Sequence, residues 1–402
     1  MTNSGCLPVY ASAVEGDFVA HSSVLDTSVD NRIEERAPPM STHRDLLNQA
    51  TVADVVAGAS VQVTLAGERS PERDAGPNSL AAVTRGPLME CHEPRGPMKD
   101  VEGKVAFITG GDSGIGLGIT RAFVEAGMKV VIGYRTEKHL EEAMKSLGSA
   151  SDRAHAINVD VTDRPGLERA AEETVRVFGK IHVLVNNAGV VADGPLSSAT
   201  YGDWDWVMGV NLTGVFNGLH SFLSRIQAHG DGGHIVTTSS INGLFVADGL
   251  AVYSASKAAV VSLMESLRGE LSSINIGVSV YCPGFVRTEI ASSARNRPGE
   301  PNGSSTSPSS VDLEREIAIK RAMNLSMDPF EAGQFVLCGI RNNDLYILSH
   351  PEYEQGICDR YEALIASIPR GLPLQESRAA VEQLRNNTYI AERERKRVGR
   401  AQ

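Results

Sequence analysis

Tyr253 lies thirteen residues after Ser240, and Lys257 follows Tyr253 by four residues. In a helix, this spacing places the tyrosine and the lysine on the same face. An ammonium held beside a phenol stabilises the phenolate and lowers a pKa that starts near ~10. A tyrosine tuned in this way can exchange a proton with an alcohol or a ketone near neutral pH, so the pattern indicates acid–base chemistry.

A glycine-rich turn lies upstream of this pair, between a predicted strand and a predicted helix. The apolar run at residues 104–108 is typical of a buried strand in a parallel sheet, and residues 117–126 have a helical pattern. Glycine backbone can approach a pyrophosphate closely, and the start of a helix supplies N–H groups and partial positive charge. The turn therefore predicts the first half of a dinucleotide site, formed by Gly110, Asp112, Ser113, Gly114, Ile115 and Gly116.

Taken together, the motifs resemble the short-chain dehydrogenase/reductase family over residues 100 to about 350. In the family's order, the chain carries TGGDSGIG at 109–116, Asn186-Asn187-Ala188-Gly189, Asn211, Ser240, Tyr253, Lys257 and Pro283-Gly284. The resemblance implies an α/β fold. It consists of a single Rossmann-like, doubly wound parallel sheet of about seven strands, ordered 3-2-1-4-5-6-7 and flanked by helices.

Apolar runs alternate with helical segments along the chain, as in βαβ units. Further strands are predicted at residues 130–134, 154–159, 182–186, 234–239, 277–282 and 345–348. Further helices are predicted at residues 139–147, 166–178, 204–228, 254–273 and 329–342. A ligand would then lie at the carboxyl ends of the strands, where the strand order reverses.

The resemblance implies a catalytic set of Asn211, Ser240, Tyr253 and Lys257. Ser240 would donate to the substrate oxygen, and Tyr253 would give or take its proton. Lys257 would lower the Tyr253 pKa and bind the nicotinamide ribose. Asn211 would kink its helix and hold a water that relays protons, unless it is simply a surface residue of that helix.

The residues after the second strand bear on the choice of cofactor. An aspartate there would bind the adenosine ribose and repel a 2′-phosphate, but this chain has Tyr134 followed by Arg135. A guanidinium suits a phosphate, so NADP is favoured over NAD, although Arg135 could also be a solvated surface residue. By resemblance, further cofactor contacts fall on Asp160, Val161, Asn187, Ala188, Gly189, Tyr253, Lys257, Pro283, Gly284, Val286 and Thr288.

The substrate side of the predicted site is apolar. We expect a bulky hydrophobic secondary alcohol or ketone rather than a sugar or an acid, although core packing explains each residue equally well. A substrate lid is predicted at residues 289–327, with a helix at 313–323. Residues 204–206 and 210–212 are similar to a bacterial branch that oxidises aryl-propane alcohols. The residues expected to face the substrate are Val190, Val191, Ile241, Leu244, Phe245, Val252 and Phe285.

Composition limits the kinds of partner and compartment. A chain of 402 residues with 42% hydrophobic residues can bury one large core. The net charge of −11 argues against nucleic acid or an anionic membrane as a partner. Five cysteines without metal or disulfide spacing predict free thiols and no metal site. We expect a cytoplasmic protein that binds a small-molecule substrate and forms a homodimer or homotetramer.

Residues 1–97 have a different composition from the rest of the chain. Gly, Pro, Ser and Ala occur there without sustained periodicity, which predicts a disordered or non-native N-terminal extension. Residues 98–371 are assigned to the Rossmann domain. Residues 372–402 are a charged tail in which fraying is expected.

Two interpretations of different class remain open at this point. The first is an active NAD(P)-dependent oxidoreductase that interconverts an alcohol and a ketone. The second is a dinucleotide-binding scaffold or sensor of the same fold without turnover. Such proteins typically lose the tyrosine or the lysine, and this chain keeps both. Among enzymes, an epimerase or dehydratase is the lesser alternative.

Overall fold

A parallel sheet of seven strands forms the centre of the molecule. The computed structural model describes residues 96–297, 325–383 and 387–400. The strand order is β3-β2-β1-β4-β5-β6-β7 with all pairs parallel, which confirms the predicted topology. The strands are β1 Val105–Thr109, β2 Lys129–Tyr134, β3 Ala154–Asn158, β4 Val183–Asn186, β5 Gly233–Thr238, β6 Ile276–Tyr281 and β7 Tyr346–Ile347.

Helices cover both faces of this sheet. The long helix predicted at residues 204–228 is present as α4 and α5, joined by a π-helical turn at Gly209–Thr213. The helix predicted at residues 313–323 and the expected N-terminal extension fall outside the described residues, except for residues 96 and 97. The helices are α1 Gly114–Glu125, α2 Glu137–Leu147, α3 Arg164–Phe178, α4 Tyr201–Met208, α5 Gly214–Ala228, α6 Ala251–Leu271, α7 Pro329–Asn342, α8 Glu354–Ala366, α9 Glu376–Gln383 and α10 Thr388–Arg400.

The central strands are buried along most of their length because both faces of the sheet are covered. Successive side chains of a strand point to opposite faces. In β1, Phe107 packs in the cluster that includes residues of α3, α5 and α6, whereas Ala106 and Ile108 pack with residues of α1 and α7. Each large aliphatic side chain buried in this way contributes roughly 1.5–3 kcal/mol, so the sheet is a stable support for the loops at its ends.

The C-terminal helix α10 is attached to the domain by charged residues. Glu392 is buried and accepts a hydrogen bond from the backbone N–H of Leu345 at 3.1 Å. Arg395 donates to Asp344 at 2.6 Å and also pairs with Glu392. A buried carboxylate is tolerated when it is paired and hydrogen-bonded. The expected fraying therefore does not describe α10, which is fixed beside the start of β7.

The cysteines differ from the expectation of free thiols. Cys338 of α7 is disulfide-bonded, whereas Cys282 and Cys358 are free. Burial raises the pKa of the Cys282 thiol to about 12, so this thiol stays protonated and unreactive. Spacing in the sequence does not show which cysteines the fold brings together, because disulfide formation depends on distance in space.

Among the residues with described structure, no helix combines the length and the apolar character that crossing a bilayer would require.

Candidate active site

The predicted site residues come together at the carboxyl edge of the sheet. Strands β1 and β4 are neighbours in the sheet, and the strand order reverses between them. The loops that follow these strands, together with those after β5 and β6, carry the glycine turn, Asn187, Ser240 and Pro283. In open α/β sheets a ligand crevice forms at this reversal, so topology alone places the predicted residues around one cleft.

The glycine turn is built for close approach of backbone. A Cβ atom at Gly116 would lie 1.9 Å from the carbonyl oxygen of Gly110 and 2.5 Å from Nδ2 of Asn187. Any side chain larger than glycine would therefore push the turn apart. Helix α1 starts at Gly114, and the Ser113 side chain does not cap it. The first N–H groups of α1 are consequently available for an anion at the helix N-terminus.

Thr109 and Asn187 join the glycine turn to the loop after β4. Thr109 Oγ1 accepts hydrogen bonds from the backbone N–H groups of Asn187 at 2.9 Å and Ala188 at 3.0 Å. Asn187 Nδ2 donates in return to the carbonyl oxygens of Thr109 at 3.1 Å and Gly110 at 3.2 Å. The Asn187 side chain thus stabilises the cleft by binding the backbone at the start of the glycine turn.

Asn211 is fully buried in the π-helical turn Gly209–Thr213. Its Oδ1 accepts from the N–H of Val190 and its Nδ2 donates to the carbonyl of Val190, each at 2.9 Å. Nδ2 also donates to Oγ of Ser256 at 3.0 Å. Asparagine is a poor helix former, and π-helical turns often occur at functional sites. Asn211 is therefore no surface residue but a connection between the β4 loop and α6.

Tyr253 and Lys257 both lie in the first turns of α6 and are buried. Lys257 Nζ donates to the carbonyl oxygen of Thr238 at 2.9 Å and lies 5.7 Å from the centroid of the Tyr253 ring. Ser239 Oγ donates to the carbonyl of Lys257 at 2.8 Å, which fixes α6 against the end of β5. The fold thus places an ammonium and a phenol side by side.

The protonation of this pair is controlled mainly by burial. Burial raises the pKa of Tyr253 to about 12, while a hydrogen bond with the Ser240 side chain acts in the opposite direction. Burial also lowers the pKa of Lys257 to about 8. Desolvation disfavours both charged forms. The expected lowering of the Tyr253 pKa by Lys257 is therefore not seen in the protein alone.

Arg135 and Asp160 form an ion pair beyond the ends of β2 and β3. Arg135 Nε lies 3.3 Å from Asp160 Oδ2, and the two side chains are 51% and 37% exposed. Asp160 Oδ1 accepts from the backbone N–H of Thr162 at 2.8 Å and from its hydroxyl at 2.7 Å. Tyr134 donates its hydroxyl hydrogen to Glu137 at 2.8 Å. The Arg135 side chain is consequently oriented by a carboxylate and only partly solvated.

The loop after β6 forms the opposite wall of the cleft. A Cβ atom at Gly114 would lie 2.9 Å from Cγ2 of Thr288, so this loop closely approaches the glycine turn. Val286 is buried and pairs with Met327 in a parallel β-bridge. Pro283 is buried, and Gly284 is half-buried. These contacts place the positions predicted to bind the carboxamide next to the glycine turn.

The residues expected to face the substrate divide into two groups. Phe285 is 49% exposed, and Phe245 is half-buried with its ring centroid 5.8 Å from that of Tyr353. Val191 is also half-buried. Core packing accounts for the others, since Val190, Ile241, Leu244 and Val252 are buried in the cluster with α3, α5 and α6.

The predicted lid is described only in part. A short 3₁₀ helix, Ile290–Asn296, follows the β6 loop. Residues 325–327 rejoin the domain where Met327 pairs with Val286. Residues 298–324 lie outside the described residues.

Sequence reasoning missed four residues that shape the cleft. Thr109 and Thr238 are the last residues of β1 and β5, and each forms a hydrogen bond with Asn187. His350 and Tyr353 follow β7 and contact the β6 loop. No local pattern marks them, because only the pairing of β7 with β6 brings them there.

A second cluster of titratable groups lies at the amino edge of the sheet. Potential ligand atoms of His182, His229 and Asp231 lie within 4.8 Å of one another. His182 Nδ1 accepts from the N–H of Val105 at 3.1 Å, and His229 Nδ1 accepts from the N–H of Asp231 at 3.1 Å. His229 Nε2 also contacts the carbonyl oxygen of Ile181 at 2.7 Å. Three of the four ring nitrogens of His182 and His229 thus contact backbone atoms, which connects this cluster to the fold.

Comparison with known proteins agrees with this geometry. The family model described as short chain dehydrogenase matches residues 104–299. A C alpha-dehydrogenase of a Sphingobium species (strain SYK-6) is 40% identical over 274 residues, 67% of this chain and 88% of that protein. An NADP-dependent (R)-specific alcohol dehydrogenase of Lentilactobacillus kefiri is 36% identical over 192 residues, 47% of this chain and 76% of that protein. The crystal structure of a short-chain dehydrogenase/reductase from Burkholderia phymatum in complex with NAD has a TM-score of 0.63 and 32% identity, covering 69% of this chain and 99% of that one.

Proposed function

The chain belongs to the short-chain dehydrogenase/reductase family, and we propose that it interconverts a hydrophobic secondary alcohol and its ketone with NAD(P) as cofactor. One observation carries this proposal. The Ser240 side chain forms a hydrogen bond with the Tyr253 phenol, which acts to lower the pKa of that phenol. Lys257 Nζ lies 5.7 Å from the centroid of the same ring. A serine, a tyrosine and a lysine in this arrangement suit proton transfer to an alcohol oxygen.

The cleft fits a dinucleotide. The uncapped start of α1 and the close-packed Gly116 offer N–H groups to a pyrophosphate. We assign Asn187, Ala188 and Gly189 to the nicotinamide ribose side, and Val286 and Thr288 to the carboxamide. When bound, the nicotinamide cofactor supplies or accepts the hydride.

Side chains of the protein donate and accept the proton that the reaction transfers. Ser240 Oγ donates to the substrate oxygen, and Tyr253 Oη transfers a proton to or from that oxygen. Burial keeps the phenol protonated, since its pKa is raised to about 12, which suits proton donation to a ketone. In the direction of alcohol oxidation, Lys257 provides the positive charge that a phenolate requires, and Asn211 holds the β4 loop against α6.

We propose NADP as the preferred cofactor. Arg135 supports this choice, because its guanidinium lies beyond the end of β2, where a 2′-phosphate would be bound. The alcohol dehydrogenase of Lentilactobacillus kefiri is named as NADP-dependent. NAD remains the alternative, since Asp160 already pairs with Arg135 and the Burkholderia phymatum protein was solved with NAD.

Within hydrophobic alcohols, we propose that the substrate carries an aromatic ring next to the carbinol carbon. The rings of Phe245 and Tyr353 lie with centroids 5.8 Å apart, and Phe285 is 49% exposed. We assign these three side chains to the substrate side of the cleft, because aromatic rings pack favourably against each other. The Sphingobium relative is named as a C alpha-dehydrogenase. We also expect a homodimer or homotetramer in the cytoplasm.

A screen of alcohols and ketones tests the proposed function. Aryl and aliphatic secondary alcohols, with their ketones, are offered to the protein with NAD(H) and NADP(H) in turn. The absorbance of the reduced nicotinamide should change, most strongly for an aryl alcohol or ketone with the NADP pair. Cofactor binding without turnover of any compound would favour a sensor or scaffold instead. Interconversion of isomers without net absorbance change would favour an epimerase.

A further inference from the structure

The turn after β7 binds the backbone of the β6 loop. His350 Nδ1 accepts a hydrogen bond from the N–H of Gly284 at 3.2 Å, and His350 Nε2 lies 3.1 Å from the carbonyl oxygen of Phe285. A neutral imidazole with its hydrogen on Nε2 makes both bonds at once. One side chain therefore binds two peptide groups of this loop, through the N–H of Gly284 and the carbonyl of Phe285.

Tyr353 encloses the same two residues from the side. A Cβ atom at Gly284 would lie 2.2 Å from Cε2 of the Tyr353 ring, so a larger residue there would require the ring to shift. The backbone of Phe285 forms a hydrogen bond with the Tyr353 hydroxyl, which opposes the rise in the Tyr353 pKa that burial causes. The loop thus has no room to move towards the turn after β7.

The imidazole is itself held in place from the protein interior. Ser349 Oγ lies 2.9 Å from His350 Nδ1, and the Tyr281 hydroxyl lies 3.1 Å from Ser349 Oγ. Tyr281 and Ser349 are both buried. Since Nδ1 has no hydrogen, Ser349 donates to it and Tyr281 donates to Ser349. These two hydrogen bonds fix the rotamer of the His350 ring. A residue that positions a loop must itself be held in place.

On the other side, Met327 holds the loop. Its backbone N–H donates to the carbonyl of Phe285 at 3.1 Å, and its carbonyl accepts from the N–H of Arg287 at 3.0 Å. The segment from Gly284 to Val286 is therefore bound along both edges. Each set of bonds removes a direction in which its backbone could shift.

We propose that His350 is a positioning residue that sets the backbone of Gly284, Phe285 and Val286 for the nicotinamide. The inference rests on the proposed function, which assigns Val286 to the carboxamide. His350 itself makes no contact with the cofactor in this scheme. Its effect is to keep the carboxamide-binding peptide in place before the cofactor arrives, so that less conformational entropy is lost on binding.

Three substitutions separate the two bonds of the imidazole. His350→Ala removes both bonds. His350→Asn retains an acceptor near the position of Nδ1, and His350→Gln retains a donor near the position of Nε2. His220→Ala is the control, because His220 is an exposed histidine on α5.

The main readout is the dissociation constant of NADPH and NADH, measured by nucleotide fluorescence. We expect His350→Ala to weaken binding about tenfold and each single-bond variant about threefold, as typical hydrogen-bond energies imply. His220→Ala should bind like the wild type. In turnover, the KM for the cofactor should rise more than the KM for the alcohol.

Cofactor affinities within twofold of wild type in all three variants would overturn the inference, including a case in which only the melting temperature falls. If His350→Ala does not fold, the cofactor dissociation constants of His350→Asn and His350→Gln are compared with those of the wild type in the same way. The proposed function can fail separately. A wild type that binds cofactor but oxidises no alcohol refutes the function and leaves this binding test intact. A wild type that binds neither nucleotide refutes both.

Discussion

The two edges of the sheet hold buried titratable side chains and use them in different ways. At the amino edge, His182 Nδ1 binds the N–H of Val105, and His234 Nε2 lies 2.7 Å from Ser279 Oγ. Burial lowers the pKa of His182 to about 4 and that of His234 to about 3. At the carboxyl edge, burial shifts the pKa values of Tyr253 and Lys257 by similar amounts.

A perturbed pKa therefore does not by itself identify the functional edge. What separates the edges is the surrounding backbone. At the carboxyl edge, the close-packed glycine turn and the β6 loop border a cleft beside Tyr253. At the amino edge, the imidazoles are bonded to neighbouring strands and loops. We propose that the same burial serves chemistry at one edge and stability at the other.

The largest effect is expected for Lys257→Met. The substitution removes the ammonium beside Tyr253 and the bond to the Thr238 carbonyl. Turnover should fall by roughly 10³-fold, within the range of general acid–base catalysis. Steady-state rates with the best alcohol from the screen provide the measurement. Lys145→Met, at an exposed position of α2, should keep full activity. Equal activity in the two variants would remove Lys257 from the mechanism.

The next effect is expected for Asn211→Leu. The variant leaves the buried N–H and carbonyl of Val190 without their partner, and each unsatisfied group costs about 1–3 kcal/mol. Both turnover and the free energy of unfolding should fall, as measured by rates and urea titration. Ser256→Ala removes only one bond to Asn211 and should do less harm. Wild-type turnover in Asn211→Leu would show that its role is confined to stability.

A smaller effect is expected for Arg135→Ala. Loss of the guanidinium should weaken NADPH binding about tenfold, because a charged hydrogen bond to phosphate is lost, and should barely change NADH binding. Fluorescence titration with both nucleotides gives the two dissociation constants. Arg176→Ala, on α3 and 71% exposed, is the matched control. Equal losses for NADPH and NADH in Arg135→Ala would make Arg135 irrelevant to cofactor choice.

At the amino edge, His182→Asn should leave turnover unchanged and alter only the pH dependence of stability. The folded-state pKa of His182 is lowered to about 4 from 6.5, chiefly by burial and then by the charge of Lys104. The unfolded chain therefore binds more protons between these pH values, so the free energy of unfolding falls as the pH drops through this window.

Urea titrations at pH 5 and pH 8 measure this dependence. The difference in unfolding free energy between the two pH values should be smaller in His182→Asn than in the wild type. His220→Asn, at an exposed histidine, should behave like the wild type. If turnover fell in His182→Asn while its stability at pH 8 was unchanged, the proposed division between the two edges would be wrong.

The sequence predicts the sheet better than it predicts the site. Apolar runs identify every strand, with both ends within one residue, because helices cover both faces of the sheet. Tyr253, Lys257 and the glycine turn are recognisable since their spacing lies within single elements. His350 and Tyr353 carry no such signal, because their contact with Gly284 depends on β7 lying beside β6. The Tyr253 pKa likewise depends on burial that spacing cannot show.

Tyr253→Phe tests the central claim most directly. The variant keeps the buried ring and removes only the hydroxyl that is assigned the proton transfer. The rate of nicotinamide oxidation or reduction and the cofactor dissociation constant are measured on the same preparation. We predict a loss of ~10²–10⁴-fold in kcat, with cofactor binding within twofold of the wild type. A kcat close to that of the wild type would contradict the account and move the chemistry away from this edge of the sheet.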